Sequence, residues 1–218
     1  VDIGRDMLNL LKKCKVNIKV VFPKNSIVAM VSYGLLNEAK NELKILHSQL
    51  NDAAKNDLIV GIEPSEVLVW RDEAKSLLNG RLPNVLLFEE LLMELDQLKV
   101  LPKFHALNTK VWVYEHCHQK SLAETKNTIK ALDLIPEVQI EIVNGGCCGM
   151  AGEFGYKHFK ISQKIAHNSL KKHMAKITDR DMFIATGTSC RKQVLDIFGR
   201  QSQHLPQLFI KSIGSNPC

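Results

Sequence analysis

Four cysteines stand where apolar segments of the chain end. Cys117 closes the run VWVYEHCH, Cys147 and Cys148 sit side by side in VNGGCCGMAGEFGY, and Cys190 ends ATGTSC. Four thiolates satisfy either a tetrahedral zinc or a cubane [4Fe–4S] cluster. They also allow thiol–disulfide exchange, in which a bridge would join Cys117 or Cys190 to the adjacent pair, because neighbouring cysteines close only a strained ring. The local settings suit a thiolate. Gly145, Gly146, Gly149 and Gly152 free the loop to take positive φ and to bring backbone N–H groups to an anionic site. Cys190 is expected in the first turn of a helix, where the helix dipole and Arg191 favour the charged sulfur. The alternative is four buried thiols that serve only as small apolar side chains.

Other candidates carry less. His116 and His118 flank Cys117, and if the strand persisted that far both would point away from it. They read as hydrogen-bonded loop histidines, or else as a further ligand or a proton donor beside a redox centre. Cys14 shares a helical face with Met7 and Leu11 and reads as core; Cys218 ends the chain. Glu153 reads as a solvated loop carboxylate, with general base as the other role. The glycines near 145–155 lack GxGxxG spacing, and no CxxCxxCxxxCP run is present.

The elements that must position these groups alternate. Strands are expected at 17–22, 58–62, 84–87, 111–114, 138–143 and 182–185. Helices are expected around Met7–Cys14, Leu36–Leu50, Val67–Leu77, a Glu- and Leu-rich stretch to Leu98, Leu122–Leu132, Ile161–Ile177 and Ser189–Phe198. Strands alternating with helices predict an α/β fold with mainly parallel sheets, whose functional loops lie at the carboxyl ends of the strands. The sequence also repeats. Asp57–Glu66 (DLIVGIEPSE) parallels Asp181–Cys190 (DMFIATGTSC), and Tyr33-Gly34 parallels Phe154-Gly155. This predicts two related three-layer α/β halves, residues 1–103 and 104–218, with a connector near Leu101–Asn108. The first half has Asn25, Ser26 and Glu66 where the second has Cys147, Cys148 and Cys190.

Composition bounds the rest. The 218 residues are 45% hydrophobic and 24% charged, which is globular. No apolar run reaches the ~20 residues of a membrane helix, and no signal peptide opens the chain. It starts at Val1, which reads as a processed chain or part of a longer one. Six cysteines without a secretion signal point to metal or redox chemistry in a cytoplasmic setting. The net charge is +6 (29 − 23), but the lysines are scattered and aromatics are only 6%, so nucleic-acid binding is not expected. A surface for an acidic partner fits that charge.

The blocks His116-Cys117-His118-Gln119-Lys120, Gly146-Cys147-Cys148-Gly149-Met150-Ala151-Gly152 and Gly187-Thr188-Ser189-Cys190-Arg191-Lys192-Gln193 resemble the cysteine-rich CCG domain. That domain occurs in heterodisulfide reductase B subunits, in the iron–sulfur subunits of glycolate oxidase and D-lactate dehydrogenases, and at the end of large fused FAD-linked oxidases. Ser32-Tyr33-Gly34-Leu35-Leu36 and Gly61-Ile62-Glu63-Pro64-Ser65 extend the resemblance into the first half. It implies an electron-transfer module with two CCG repeats. Cys117, Cys147, Cys148 and Cys190 would hold an iron–sulfur cluster ([4Fe–4S]) or zinc, in a loop shaped by Gly145, Gly146 and Gly149. FAD would sit on a partner domain or subunit that oxidises a 2-hydroxy acid, and a ferredoxin-like iron–sulfur domain would be a second partner. The implied location is cytoplasmic, with contact to the inner membrane only through partners. Two departures matter. The first repeat lacks its cysteines, and Gln193 stands where the fullest motif has a last Cys, so at most one metal site remains. A five-thiolate non-cubane cluster would need another ligand, for which His118 is placed. A structural zinc docking module and a metal-free thiol–disulfide domain stay open beside the iron–sulfur reading.

Overall fold

Apolar residues at steps of three and four build most of the helices. In the helix Leu36–Leu50, Ala39, Leu43 and Leu46 fall on one buried face. The computed structural model describes residues 2–50, 53–152 and 154–214; Glu153 and Cys218 lie outside the described residues. In chain order the first elements are α1 (Asp2–Lys13), α2 (Ile27–Ser32), α3 (Leu36–Leu50), α4 (Ala53–Asn56), β1 (Ile59–Val60), α5 (Pro64–Leu68), α6 (Glu73–Leu77), β2 (Val85–Leu86) and α7 (Phe88–Gln97). Then come β3 (Thr109–Tyr114), α8 (Cys117–Leu122), α9 (Thr125–Leu132), β4 (Val138–Ile142), α10 (Phe154–Lys157), α11 (Phe159–Met174), β5 (Met182–Ala185), α12 (Thr188–Phe198) and α13 (Leu205–Ser212).

Every strand pairing among the described residues is parallel, as α/β alternation predicts. In one sheet β1 lies beside β2, with Ile59 opposite Val85. In the other, β3 is central between β4 and β5. A single parallel bridge, Ile184 to Gln203, extends that sheet just before α13. Side-chain alternation along β3 separates two cores. Trp112 and Tyr114 pack with Leu170 of α11 and Val194 of α12. Val111 and Val113 pack on the other face with Leu10, Leu92, Leu132 and Leu208, from α1, α7, α9 and α13. In β2, Leu86 joins this second cluster, while Val85 joins a third with residues of α3 and α6. The central cluster is therefore shared by both ends of the chain. In it α1 packs on α13 and α7 packs on α9. Phe209 of α13 meets Phe88 of α7 edge-to-face at 5.8 Å and Phe104 of the connector at 5.2 Å.

The segments expected as strand 17–22 and as helix 67–77 differ. No ladder forms at 17–22; Val20 and Phe22 are 48% and 84% exposed, and Pro23 follows with no N–H to give. The helix is broken. Pro64 starts α5, a 3-10 turn covers Val69–Arg71, and Asp72 leaves the helical region at φ −128°, ψ −86° before α6 begins. Val67, Trp70 and Ala74 remain buried, so the apolar spacing survives the break. Helices α2, α8 and α13 are too short or too near loops for periodicity to reveal. Among the described residues, no helix is long and apolar enough to cross a membrane.

Candidate thiol metal centre

Parallel strands put their carboxyl ends on one side of the sheet, and the four thiols follow those ends. Cys117 is the first residue of α8, three positions after β3. Cys147 and Cys148 lie in the loop after β4, and Cys190 is the third residue of α12, after β5. The strand stops at Tyr114, so His116, Cys117 and His118 do not alternate across a pleat as a longer strand would require. His116 instead caps α8, its Nδ1 accepting from the His118 N–H at 3.3 Å.

The sulfurs form a string of hydrogen-bonded pairs: Cys117 with Cys147, Cys147 with Cys148, and Cys148 with Cys190. Cys117 is exposed, Cys147 half-buried, and Cys148 and Cys190 buried. Negative charge therefore collects at one place. The bonds from Cys117 and Cys148, aided by the Gly149 N–H at 3.3 Å, hold the Cys147 thiol far below its ordinary range. The same bonds push Cys117 and Cys148 up, because each keeps its proton to donate, and burial adds to this. The set is elongated. Among the described residues the group whose ligand atoms all lie within 4.8 Å of one another is Asp72, Glu73 and His118, not a trio of these thiols. His118 Nε2 lies 3.9 Å from Asp72 Oδ2.

The loop is fixed from below. Tyr114 is fully buried; its hydroxyl donates to the Gly146 carbonyl at 2.6 Å, and Lys120 Nζ donates to the Gly145 carbonyl at 2.8 Å. Burial first, then the neighbouring thiols, raise the Tyr114 phenol, so it stays a donor. The glycines differ in what they provide. Gly149 has φ +91° and would place a Cβ 2.5 Å from the Ser162 carbonyl oxygen. Gly145 and Gly146 do not have positive φ; they allow close approach to Ser169 of α11, whose carbonyl would lie 2.8 Å from a Cβ on Gly145.

Two carboxylates from the first half reach these segments, and sequence reasoning missed both. Glu63 accepts from the Thr188 N–H at 3.0 Å and the Thr188 hydroxyl at 2.6 Å, at the start of the Cys190 helix, with Arg191 Nη2 3.8 Å away. Glu89, 4% exposed, accepts from Gln119 Nε2 at 2.5 Å. Gln119 Oε1 accepts from the Thr186 hydroxyl at 2.6 Å, which in turn accepts from the His116 N–H at 2.9 Å. A signal for Glu89 existed: it lies three residues before the core residue Leu92, on the apolar face of its helix. Cys14 is buried in the central core.

No family model matches the chain. It is 31% identical over 170 residues to D-2-hydroxyglutarate dehydrogenase of Pantoea ananatis, a match that covers 75% of this chain and 16% of that protein. Against D-2-hydroxyglutarate dehydrogenase of Escherichia coli K12 it is 30% identical over 185 residues, 83% of this chain and 18% of the other. Against one subunit of the anaerobic glycerol-3-phosphate dehydrogenase of Escherichia coli K12 it is 24% identical over 174 residues, 75% of this chain and 44% of that subunit. The chain thus spans less than a fifth of the two hydroxyglutarate dehydrogenases and under half of the third protein.

Proposed function

We propose that the chain is the electron-transfer module of an FAD-linked 2-hydroxy acid dehydrogenase or oxidase system, with Cys117, Cys147, Cys148 and Cys190 as ligands of one iron–sulfur cluster. The observation that carries this is the contiguous string of four thiols drawn from the ends of three neighbouring strands. The donor set fits. It offers four sulfurs, one already favoured as thiolate, with the exposed Cys117 at one end and the buried Cys190 at the other. The elongated arrangement suits a zinc ion less, since bonds of about 2.3 Å place all four sulfurs of a tetrahedral site within about 4 Å of each other. The names of the relatives, dehydrogenases of a 2-hydroxy acid and of glycerol-3-phosphate, support an oxidoreductase setting.

When bound, a [4Fe–4S] cluster would supply reversible uptake of one electron. The chain's own residues do the rest. Tyr114 and Lys120 fix the carbonyls of the cysteine loop, Gly149 directs its N–H to Cys147, and Gly145 and Gly146 let the loop lie against α11. In this reading FAD and the 2-hydroxy acid belong to a partner domain or subunit, a ferredoxin-like domain is a second partner, and the location is cytoplasmic.

The halves 1–103 and 104–218 are read as diverged repeats. Supporting this, β1 pairs with a segment that leads into α7, as β5 bridges a segment that leads into α13. In the first half the Ser26 hydroxyl and the Ile27 N–H donate to Glu66, where the second half pairs Cys148 with Cys190. A carboxylate holds that loop, so one metal site per chain is expected.

One observation favours a second reading, thiol–disulfide exchange. The exposed Cys117 lies directly against the Cys147 thiolate, a pair able to close a bridge. Anaerobic purification with iron, sulfide and zinc analysis and EPR separates these. About four irons per chain and a reducible EPR signal, both lost in Cys147→Ser, are expected. A colourless protein without iron after reconstitution overturns the cluster; stoichiometric zinc identifies a structural site; metal-free protein with a reversible two-thiol change identifies exchange.

A further inference from the structure

We propose that Asp72, Glu73 and His118 form a second metal site, separate from the thiols, which takes one divalent transition-metal ion and ties the start of α6 to the first turn of α8. None of its donors is a sulfur, so the site is independent of what the four cysteines hold.

The three side chains come from two segments far apart in the chain. Asp72 and Glu73 stand where the 3-10 turn Val69–Arg71 gives way to α6, and His118 is the second residue of α8. One donor atom of each lies within 4.8 Å of the other two, and His118 Nε2 is 3.9 Å from Asp72 Oδ2. Asp72 holds the capping position of α6, where an aspartate ordinarily accepts from the N–H groups of its own helix; its carboxylate makes no such bond. Glu73 supplies the independent sign. Its Oε2 is shut away from solvent and, among the described residues, has no hydrogen-bond partner. A buried carboxylate oxygen without a partner is costly, and a cation beside it removes that cost. The cations on the same two segments are engaged elsewhere: Arg71 donates to Glu90 and the Val85 carbonyl, and Lys120 to the Gly145 carbonyl.

The donor set names the class of ion. Two carboxylates offset the charge of a divalent cation. An imidazole beside them suits zinc, cobalt, manganese or iron(II); calcium and magnesium prefer oxygen alone, and copper(I) prefers sulfur. Three protein donors leave a coordination position open, as in zinc sites that keep a water or a substrate. The donors must draw together on binding, because bonds of about 2.1 Å set tetrahedral ligands about 3.4 Å apart. Asp72 is free to make that move, since its side chain is 61% exposed. His118 follows Cys117 directly in α8, so an ion held here fixes the turn that carries the exposed end of the thiol string.

Cobalt(II) titration of the full chain, purified anaerobically, tests this. Thiolate-bound cobalt absorbs through intense sulfur-to-metal charge transfer, whereas a nitrogen and oxygen set gives weak ligand-field bands alone, so the two centres are counted apart. One cobalt per chain should bind with weak bands only, in the wild type and in Cys147→Ser alike. His118→Gln and Glu73→Gln should each weaken that binding by more than about tenfold. Asp72→Asn, at an exposed position, decides if Glu73→Gln does not fold, and the same loss is expected of it. Binding should also slow hydrogen exchange of residues 116–122 in the wild type and not in His118→Gln. Cobalt bound through thiolate alone, or a weak-band site whose affinity changes less than tenfold in His118→Gln and in the carboxylate variant, overturns the proposal.

Discussion

Cys147 accepts from Cys117, Cys148 and the Gly149 N–H, so negative charge collects on Cys147 while Cys117 and Cys148 are held toward the thiol. That inequality makes Cys147→Ser the most disruptive of the thiol changes for anion character at the site, and it leaves Cys117 as the sulfur an external partner meets first. A different residue links stability to acid. His204 is 1% exposed, and burial first, with Arg191's charge second, lowers its imidazole from 6.5 to about 3. The native ring is neutral while the unfolded ring takes a proton below 6.5. Its contribution is therefore intact above pH 6.5 and falls by about 1.4 kcal/mol per pH unit toward pH 3. Urea unfolding against pH should show this limb, and His204→Gln should make it shallower by about one proton; an unchanged slope would place the acid sensitivity elsewhere.

At the scale of elements, the cysteine loop depends on a contact that only glycine allows. Gly149 sits at φ +91° with the Ser162 carbonyl where a Cβ would go, and Ser162 is held in turn by Gln193 Nε2 at 2.7 Å. Gly149→Ala must displace Ser162 of α11 as well as strain its own backbone. The expected loss is about 1–3 kcal/mol in denaturant unfolding, with weaker metal retention. Gly199→Ala is the comparison. It ends α12 at φ +61° with open space around it, so only the backbone penalty of about 1 kcal/mol applies. The helices α7 and α13 show how similar local chemistry recurs: Glu90 accepts from the Leu87 N–H at 2.8 Å, and Gln207 from the His204 N–H at 2.9 Å. These side chains fix where each helix begins, and so the height at which Phe88 meets Phe209.

Across the whole molecule, one central core joins the two ends of the chain. Helix α1 packs on α13 and α9 packs on α7, so each half completes the other's buried surface. A chain of residues 104–214 alone would expose the apolar faces of α9 and α13. It should show no cooperative unfolding transition by circular dichroism, and the two segments mixed should recover one. A separate sigmoidal transition in the isolated segment would show that the halves are independent units. The same interlock explains why residues 1–103, which hold none of the four clustered thiols, matter to them: Glu63 and Glu89 reach Thr188 and Gln119 because both ends of the chain share one interior.

The sequence by itself determined the α/β alternation, the parallel pairing and the four cysteines at strand ends, because strand and helix periods and glycine-rich turns are local signals. It misjudged 17–22, since β-branched residues make a strand only when a neighbour supplies a ladder, and it missed the break at Asp72 because the apolar spacing runs through it. The string of thiols, the lowered Cys147 thiol and the hydrogen-bonded chain through Glu89 were decided by tertiary structure alone. Each depends on groups far apart in the chain brought within hydrogen-bond distance, and on burial that turns ordinary polar side chains into strongly coupled ones.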